Sequence, residues 1–445
     1  MTSLASLTPH EHIGDLGGFV TQSPSSFHAA HEVAARLREA GFTELREASE
    51  QTDPKPDTDG STPAATKQFV IRDGAVIAWV APATAGPTTP FNIVGAHTDS
   101  PSFKLKPKSS TAAHGWLQAG VEVYGGPLLN SWLDREVELA GRLVTLDGAE
   151  HLTRTGPMLR FPQLAIHLDR AVNDGLSLNK QVHMNPVWGL ETGQPADLLG
   201  VLADQADVEA ASVAGYDIVV ADTQLPQVFG GYGELFASGR LDNLSSVHAG
   251  LTALLDVASR SDEAGYTGPI SVLAAFDHEE VGSGSRSGAS GPILDDVLTR
   301  ISFGLGADSA QRLQAYAASF CVSADAGHSV HPNYPERHDP ANRPVAGRGP
   351  LLKINANQRY STDATGAAVW ARLCKAADVP YQEFVSNNEM PCGSTIGPLT
   401  STRLGIRTVD VGIPLLSMHS ARELCAVSDP LYLAQACAEF FGTVV

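Results

Sequence analysis

Cysteine is scarce in this chain of 445 residues, and positive charge is in short supply. The five cysteines, Cys321, Cys374, Cys392, Cys425 and Cys437, form an odd set without CxxC spacing. They argue against a disulfide framework or a thiolate metal site, and for reduced core thiols in the cytoplasm. Lys and Arg together number 30 against 49 Asp and Glu, a formal charge of −19 that argues against nucleic acid or an anionic membrane as partner. No apolar stretch approaches the ~20 residues of a membrane helix. The start, Met1-Thr2-Ser3-Leu4-Ala5-Ser6, has no basic segment leading into a long apolar run, so no secretory signal is read.

What is present is a globular composition, 43% hydrophobic and 18% charged, on a length that suits roughly two or three units of ~100–200 residues. The informative stretch is Phe276-Asp277-His278-Glu279-Glu280-Val281-Gly282-Ser283. It follows Ile270 to Phe276, an apolar run that reads as a strand buried on both faces of a parallel sheet. Two adjacent carboxylates at such a strand end are costly unless positive charge lies nearby. Alone, the pair reads as a solvated turn.

Four more segments place chemistry at strand ends or helix starts. Phe91 to Ala96 leads into His97-Thr98-Asp99-Ser100-Pro101, and Ala317 to Ser323 leads into Ala324-Asp325. Ile406 to Gly412 runs toward Met418-His419-Ser420-Ala421-Arg422-Glu423. Arg240-Leu241-Asp242-Asn243 puts an Asp at the head of a helix expected over Asn243 to Arg260, whose dipole favours the ionised carboxylate. A set of His, Asp, Glu, Asp and His suits a pair of zinc ions ~4 Å apart, which needs a bridging carboxylate and two further ligands on each ion. Asp242 can bridge, His97 with Asp325 can complete one ion, and Glu280 with His419 the other. Glu279 is then free to act as general base, and Asp99 to orient the His97 ring.

The rest of the chain supports an α/β fold with helices on both faces of a sheet. A helix from Ser25-Ser26-Phe27 to Gly41, a hairpin at Arg72-Asp73-Gly74, helices over 288–300 and 364–378, and a terminal helix from Leu431 are expected. Gln51 to Lys67 reads as an exposed loop. Between Lys104 and about Gly230, strand signals with Gly-rich turns replace this pattern and no ligand candidate occurs. Residues 104–232 are therefore read as an inserted strand-rich domain within a discontinuous catalytic domain, 1–103 and 233–445.

Taken together, His97-Thr98-Asp99-Ser100-Pro101, Arg240-Leu241-Asp242-Asn243, Glu279-Glu280-Val281-Gly282-Ser283, Ser323-Ala324-Asp325, His331-Pro332-Asn333-Tyr334 and Met418-His419-Ser420-Ala421-Arg422-Glu423 resemble, in order, the aspartyl aminopeptidase family of dinuclear zinc exopeptidases. The resemblance implies a zinc exopeptidase-like fold, the same ligand pairing, and peptides with a free N-terminus, acidic by preference, as substrates. It also implies a homo-oligomer, a dodecamer, assembled through the insert, with His167 reaching a neighbouring subunit's site to stabilise the oxyanion. It puts Lys353 and Tyr360 in the substrate pocket, with His328 beside them, and makes the Glu389 to Pro398 loop substrate-lining. Since the global field repels acidic peptides, a local cation is required, and Lys353 and Arg359 are the candidates. Cobalt or manganese suits similar ligands. A leucine-type aminopeptidase, a related dinuclear deacylase or carboxypeptidase, and a non-catalytic scaffold remain as other readings.

Overall fold

The computed structural model describes residues 4–47, 65–193, 196–261, 263 and 266–445. Most of the loop expected over Gln51 to Lys67 lies outside the described residues; Thr66 and Lys67 already belong to a strand. Among the described residues a nine-stranded sheet runs in the order Thr43–Glu44, Thr66–Arg72, Ala75–Ala81, Ile270–Phe276, Phe91–His97, Phe320–Ala324, Arg407–Gly412, Leu351–Ile354, Gln382–Val385.

The four central strands of this order, from Ile270–Phe276 to Arg407–Gly412, pair in parallel. Alternate side chains serve two helical layers, as the strand period of two requires. Val94, Ala96, Leu273 and Ala275 pack with helices Pro9–Gln22, Ser26–Glu39, Leu241–Arg260 and Asp429–Gly442. Ile93, Val272, Ala274 and Phe276 pack with Ile293–Gly304, Ser309–Ala318 and Ile396–Leu404. All seven positions of Phe91–His97 and of Ile270–Phe276 are buried, which explains their largely apolar character, broken only by Asn92, Ser271 and the terminal His97. The sheet is mixed rather than purely parallel: Ala75–Ala81 runs antiparallel to Ile270–Phe276, and Leu351–Ile354 to Arg407–Gly412.

Register sets the chemistry's position. His97 lies level with Phe276, and Ala324 with Val411, so the loops carrying His97, Glu279 and Asp325 all leave one edge of the sheet. The hairpin forms as expected, with Arg72 opposite Ala75 across Asp73-Gly74. Gly74 has no room for a side chain, because a Cβ there would lie 2.4 Å from both Asp277 Oδ2 and Ser26 Oγ. The helix expected over 288–300 begins instead at Ile293. Before it, Gly288 and Gly291 turn so tightly against the carbonyls of Ser283 and Ser285 that a Cβ would come within 2.3 and 2.1 Å of them.

A second sheet of seven strands, all within 102–222, has its own core of Phe103, Val121, Leu139, Leu143, Phe161, Ile218 and Val220. Arg142 links it to the large sheet. Its guanidinium reaches Asp217, Glu150 and, on the hairpin turn, Asp73, each at 3.1 Å, and lies 4.4 Å from the ring centre of Phe27.

Leu254 is fully buried on the long helix that carries Asp242. Leu254→Ala is expected to destabilise the chain by about 2–5 kcal/mol, the range for a truncated core leucine. A lowered urea midpoint with an unchanged slope would be its signature.

Candidate metal centre

Each candidate ligand is delivered by backbone that is itself pinned. Thr98 donates its amide to Phe276 O at 2.8 Å and its hydroxyl to Gly74 O at 2.7 Å, which fixes the turn after His97. The Asp325 amide donates to Val411 O at 3.0 Å. A Cβ on Gly412 would stand 1.6 Å from the Asp325 carbonyl oxygen, so only glycine permits this approach of two strand ends. Asp242 sits in the first turn of its helix with extended dihedrals (φ −80°, ψ 104°), followed by a cis peptide bond to Asn243. Asn243 donates its side-chain amide to Ala324 O at 2.9 Å, and Ser100 Oγ donates to Asp242 O at 2.7 Å.

Arg240, His278 and His419 adopt left-handed backbone, with φ of 58°, 63° and 66°. Such conformations cost about 1–3 kcal/mol each and gather where function holds the chain. Here one lies two residues before Asp242, one immediately before Glu279, and one is His419 itself.

The side chains meet in two groups sharing one member. Asp242 turns Oδ1 toward His97 Nε2 at 3.3 Å and Oδ2 toward His419 Nε2 at 3.4 Å. His97 Nε2 lies 3.5 Å from Asp325 Oδ1, and His419 Nε2 lies 3.5 Å from Glu280 Oε2. Glu279 Oε2 stands 3.9 Å from His97 Nε2. His97, Asp242 and Glu280 present ligand atoms within 4.8 Å of one another.

As it stands, the cluster is electrostatically frustrated. Burial pushes Glu279 up to about 7, with Asp325, Asp242 and Asp99 adding to the rise against the opposing pull of His97. Burial, and next the charge of Asp242, push Glu280 well above the usual carboxylate range. Burial works against ionising Asp242 too, but the nearness of His419 and His97 outweighs it and holds that carboxyl low. Asp242 Oδ1 and Glu280 Oε1 are buried and make no hydrogen bond. Oxygen and imidazole donors, two carboxylate oxygens without partners and repulsion that positive charge would relieve all fit divalent zinc.

Asp99 is almost sealed, at 4% exposure, and it does more than orient one ring. Its Oδ1 accepts the Glu279 amide at 3.0 Å, and its Oδ2 accepts the Glu280 amide at 3.1 Å and the Tyr124 hydroxyl at 2.8 Å. The His97 Nδ1–H goes first to the Asp99 backbone carbonyl, at 3.0 Å, with the carboxylate at 3.4 Å. The orientation expected of the side chain is therefore shared with the main chain.

A cavity of about 240 Å3 opens on the cluster, lined by Lys353, Tyr360, His328, Phe384, Ser394 and Met418 among others. Lys353 is 2% exposed; its Nζ donates to Ala326 O at 2.8 Å, lies 3.7 Å from Asp325 Oδ2, and stands 5.4 Å from the Tyr360 ring centre. Arg359, the other candidate cation, is exposed and reaches Cys392 O at 3.4 Å without lining the cavity. Of the expected Glu389 to Pro398 loop, Gly393, Ser394 and Thr395 line the cavity, while Ile396 onward is helix. His167 is exposed, on a turn of the long connection before Val187–Leu190, and is not brought to the cluster of its own chain.

Glu423 carries a role that its motif alone did not reveal. Fully buried on a short strand, it accepts the Asp242 amide at 2.9 Å on one oxygen and the His419 amide at 2.7 Å on the other. It ties the shared carboxylate to a histidine of the second group.

A sheet with helices on both faces, whose strand ends gather histidines and carboxylates beside a cavity, defines a metallohydrolase with the zinc exopeptidase-like fold. Comparison with known proteins narrows this. The chain belongs to the M18 peptidases: the family model described as "Aminopeptidase I zinc metalloprotease (M18)" matches residues 19–441. It is 51% identical over 432 residues to "Probable M18 family aminopeptidase 2" of Streptomyces avermitilis, covering 96% of this chain and 97% of that one. The protein of the same name from Mycobacterium tuberculosis is 42% identical over 435 residues, covering 95% and 96%. Among solved structures, "Cryo-EM structure of the Ape4 and Nbr1 complex" superposes with a TM-score of 0.90 at 35% identity, covering 99% of this chain and 86% of that chain. "Structure of S. cerevesiae mApe1 dodecamer" gives 0.81 at 27% identity, covering 96% and 95%. The chain is thus a metallo-aminopeptidase.

Glu423→Ala would leave the buried Asp242 amide and the part-buried His419 amide without their partner, at about 1–3 kcal/mol for the buried one. The expected result is a lowered melting temperature together with about 10–100-fold weaker zinc retention against a chelator. Zinc retention equal to wild type would remove Glu423 from any part in holding the centre.

Proposed function

We propose that this enzyme is a dinuclear zinc aminopeptidase that removes N-terminal Asp or Glu from peptides. The observation that carries the reading is the posture of Asp242, whose two oxygens face separate His–carboxylate pairs. In this assignment Asp242 would be shared between the ions, His97 with Asp325 would hold one, and Glu280 with His419 would hold the other. Bound zinc supplies Lewis acidity toward the scissile carbonyl and lowers the pKa of water. Glu279, the carboxylate that neither pairing needs, takes the proton of the attacking water and returns it to the leaving amine. The free N-terminal amine is received on the Glu280 and His419 side, which restricts the enzyme to chain ends.

The acidic preference rests on Lys353, a buried cation lining the cavity of a protein with formal charge −19. Tyr360 and His328 flank the substrate side chain. A second reading, preference for neutral residues, draws on the contacts Lys353 already makes with Ala326 O and Asp325, beside the apolar surface of Phe384 and Met418. We assign the strand-rich insert as the assembly module of a cytoplasmic homo-oligomer, a dodecamer, and the remainder as the catalytic domain; the boundaries expected at 104 and 232 shift at the first end, because the strand Ser102–Ala113 and the core residue Phe103 already belong to the insert's sheet. In that assembly His167 serves the oxyanion of a neighbouring copy. Exposed Leu164, Ile166 and Leu168 around it support a contact that one chain alone does not make.

Glu279→Gln should bind zinc like wild type and lose about 10²–10⁴-fold in kcat, the usual range for a general base. Turnover near wild type in the metal-loaded variant would take the base role from Glu279. Lys353→Leu should lower the ratio of Asp- to Leu-linked amide hydrolysis by about 30-fold or more, matching the ~2 kcal/mol or more lost when one partner of a buried charge pair is truncated. An unchanged ratio favours the neutral reading, and a wild-type panel with and without chelator decides it directly.

A further inference from the structure

The outer nitrogen of a metal-bound histidine needs an acceptor that fixes its tautomer and ring plane. At this centre, part of that support comes from the strand-rich sheet and the turn that follows it. Tyr124 is the last residue of strand Trp116–Tyr124, and the chain then passes through Gly125, Gly126 and Leu128 to the short turn Leu129–Trp132. Tyr124 donates its hydroxyl to Asp99 Oδ2 at 2.8 Å. Gly126 O lies 3.1 Å from His419 Nδ1, and since a carbonyl only accepts, that nitrogen carries a proton, which leaves Nε2, facing Asp242 and Glu280, as the ring nitrogen available to a metal. The Leu128 amide donates to His419 O at 2.9 Å, and Ser131 Oγ accepts the Ala421 amide at 2.9 Å.

Close approach makes the same point. Gly125 has φ +68°, and a Cβ there would meet Glu280 Cβ at 3.1 Å and Glu280 O at 3.3 Å. A Cβ on Gly126 would stand 3.6 Å from His419 Nδ1. The glycine pair therefore lies directly against both candidate ligands of the second ion, while Tyr124 acts one step behind the first. Its route runs through Asp99, which holds the Glu279 and Glu280 amides and stands beside the His97 ring.

We propose that the segment Tyr124 to Ser131 is a positioning element of the metal centre, with Tyr124 setting Asp99 and the Gly125-Gly126 backbone setting Glu280 and His419. The insert is then a structural part of the active site of its own chain, in addition to any part it plays between chains. This deepens the dinuclear reading and rests on it. Tyr124 touches neither substrate nor a ligand atom, so it is a positioning residue.

The test compares zinc binding by the full chain in wild type, Tyr124→Phe and Gly125→Ala, titrated against a competing chelating dye, with melting of the metal-free proteins recorded alongside. Both variants are expected to bind zinc about 10–100-fold more weakly than wild type. Glu279 and Lys353 are untouched, so KM for an acidic substrate should change less than kcat at limiting zinc, and excess zinc should restore part of kcat. A Tyr124→Phe chain that folds and holds zinc as tightly as wild type overturns the proposal. Should that variant fail to fold, Ser131→Ala decides by the same titration, because it frees the Ala421 amide without altering the packed ring. Failure of the dinuclear reading looks different: the wild type itself would then bind fewer than two zinc ions.

Discussion

Repulsion among buried carboxylates governs this structure. Asp99, Asp242, Glu279, Glu280 and Asp325 converge within a few ångströms of His97, mostly away from solvent, where ionised groups lacking opposite charge are expensive. A protein can keep such a group only if cations join it and if the backbone resists the tendency of the acids to move apart. The sheet supplies the resistance. Parallel pairing brings three strand ends to one edge, Gly412 lets two of them touch, and Glu423 and Asp99 each lock two backbone amides with one carboxylate. Left-handed backbone at His278 and His419 is tolerated because these contacts over-determine it.

The same economy explains the division of labour between neighbouring residues. Glu280 turns toward His419, whereas Glu279, one residue earlier on the same short turn, points to the His97 side. One binds the metal pair and the other moves protons in the proposed mechanism, and the difference lies in side-chain direction rather than residue type. Asp99 and Asp242 show a parallel contrast. The first accepts donors on both oxygens and is held low by His97 and Tyr124 despite burial, while the second keeps an oxygen without any hydrogen bond. A satisfied carboxylate orients; an unsatisfied one is available to a cation.

The two sheets are more interdependent than a catalytic core with an appendage. Arg142 fastens the strand-rich sheet to the hairpin turn at Asp73, and Tyr124 with Gly126 extends it to the metal centre. Any movement of one sheet against the other would therefore be felt by His419 and Asp99.

Much of this was legible in the linear chain. Largely apolar runs leading toward His97, Glu279 and Asp325 announced buried parallel strands, because both faces of such strands are covered and no polar alternation survives. The five ligand candidates could be named from donor type together with their place at strand ends and a helix start, since zinc restricts which donors suffice. The helix expected from residue 288 was misplaced because Gly288 and Gly291 serve close backbone contacts, a demand that appears only when Ser283 and Ser285 are beside them. Glu423 and Tyr124 went unassigned for a similar reason: Tyr124 acts on Asp99, and Glu423 joins the nearby His419 amide to that of distant Asp242, pairings that the residues around them do not announce. Periodicity and donor chemistry are local properties, so the sequence by itself determined the layers and named a zinc-type donor set as the candidate centre. Only the tertiary structure decided which oxygen faces which histidine, and which distant groups hold them there, because hydrogen bonding depends on distances that sequence separation does not encode.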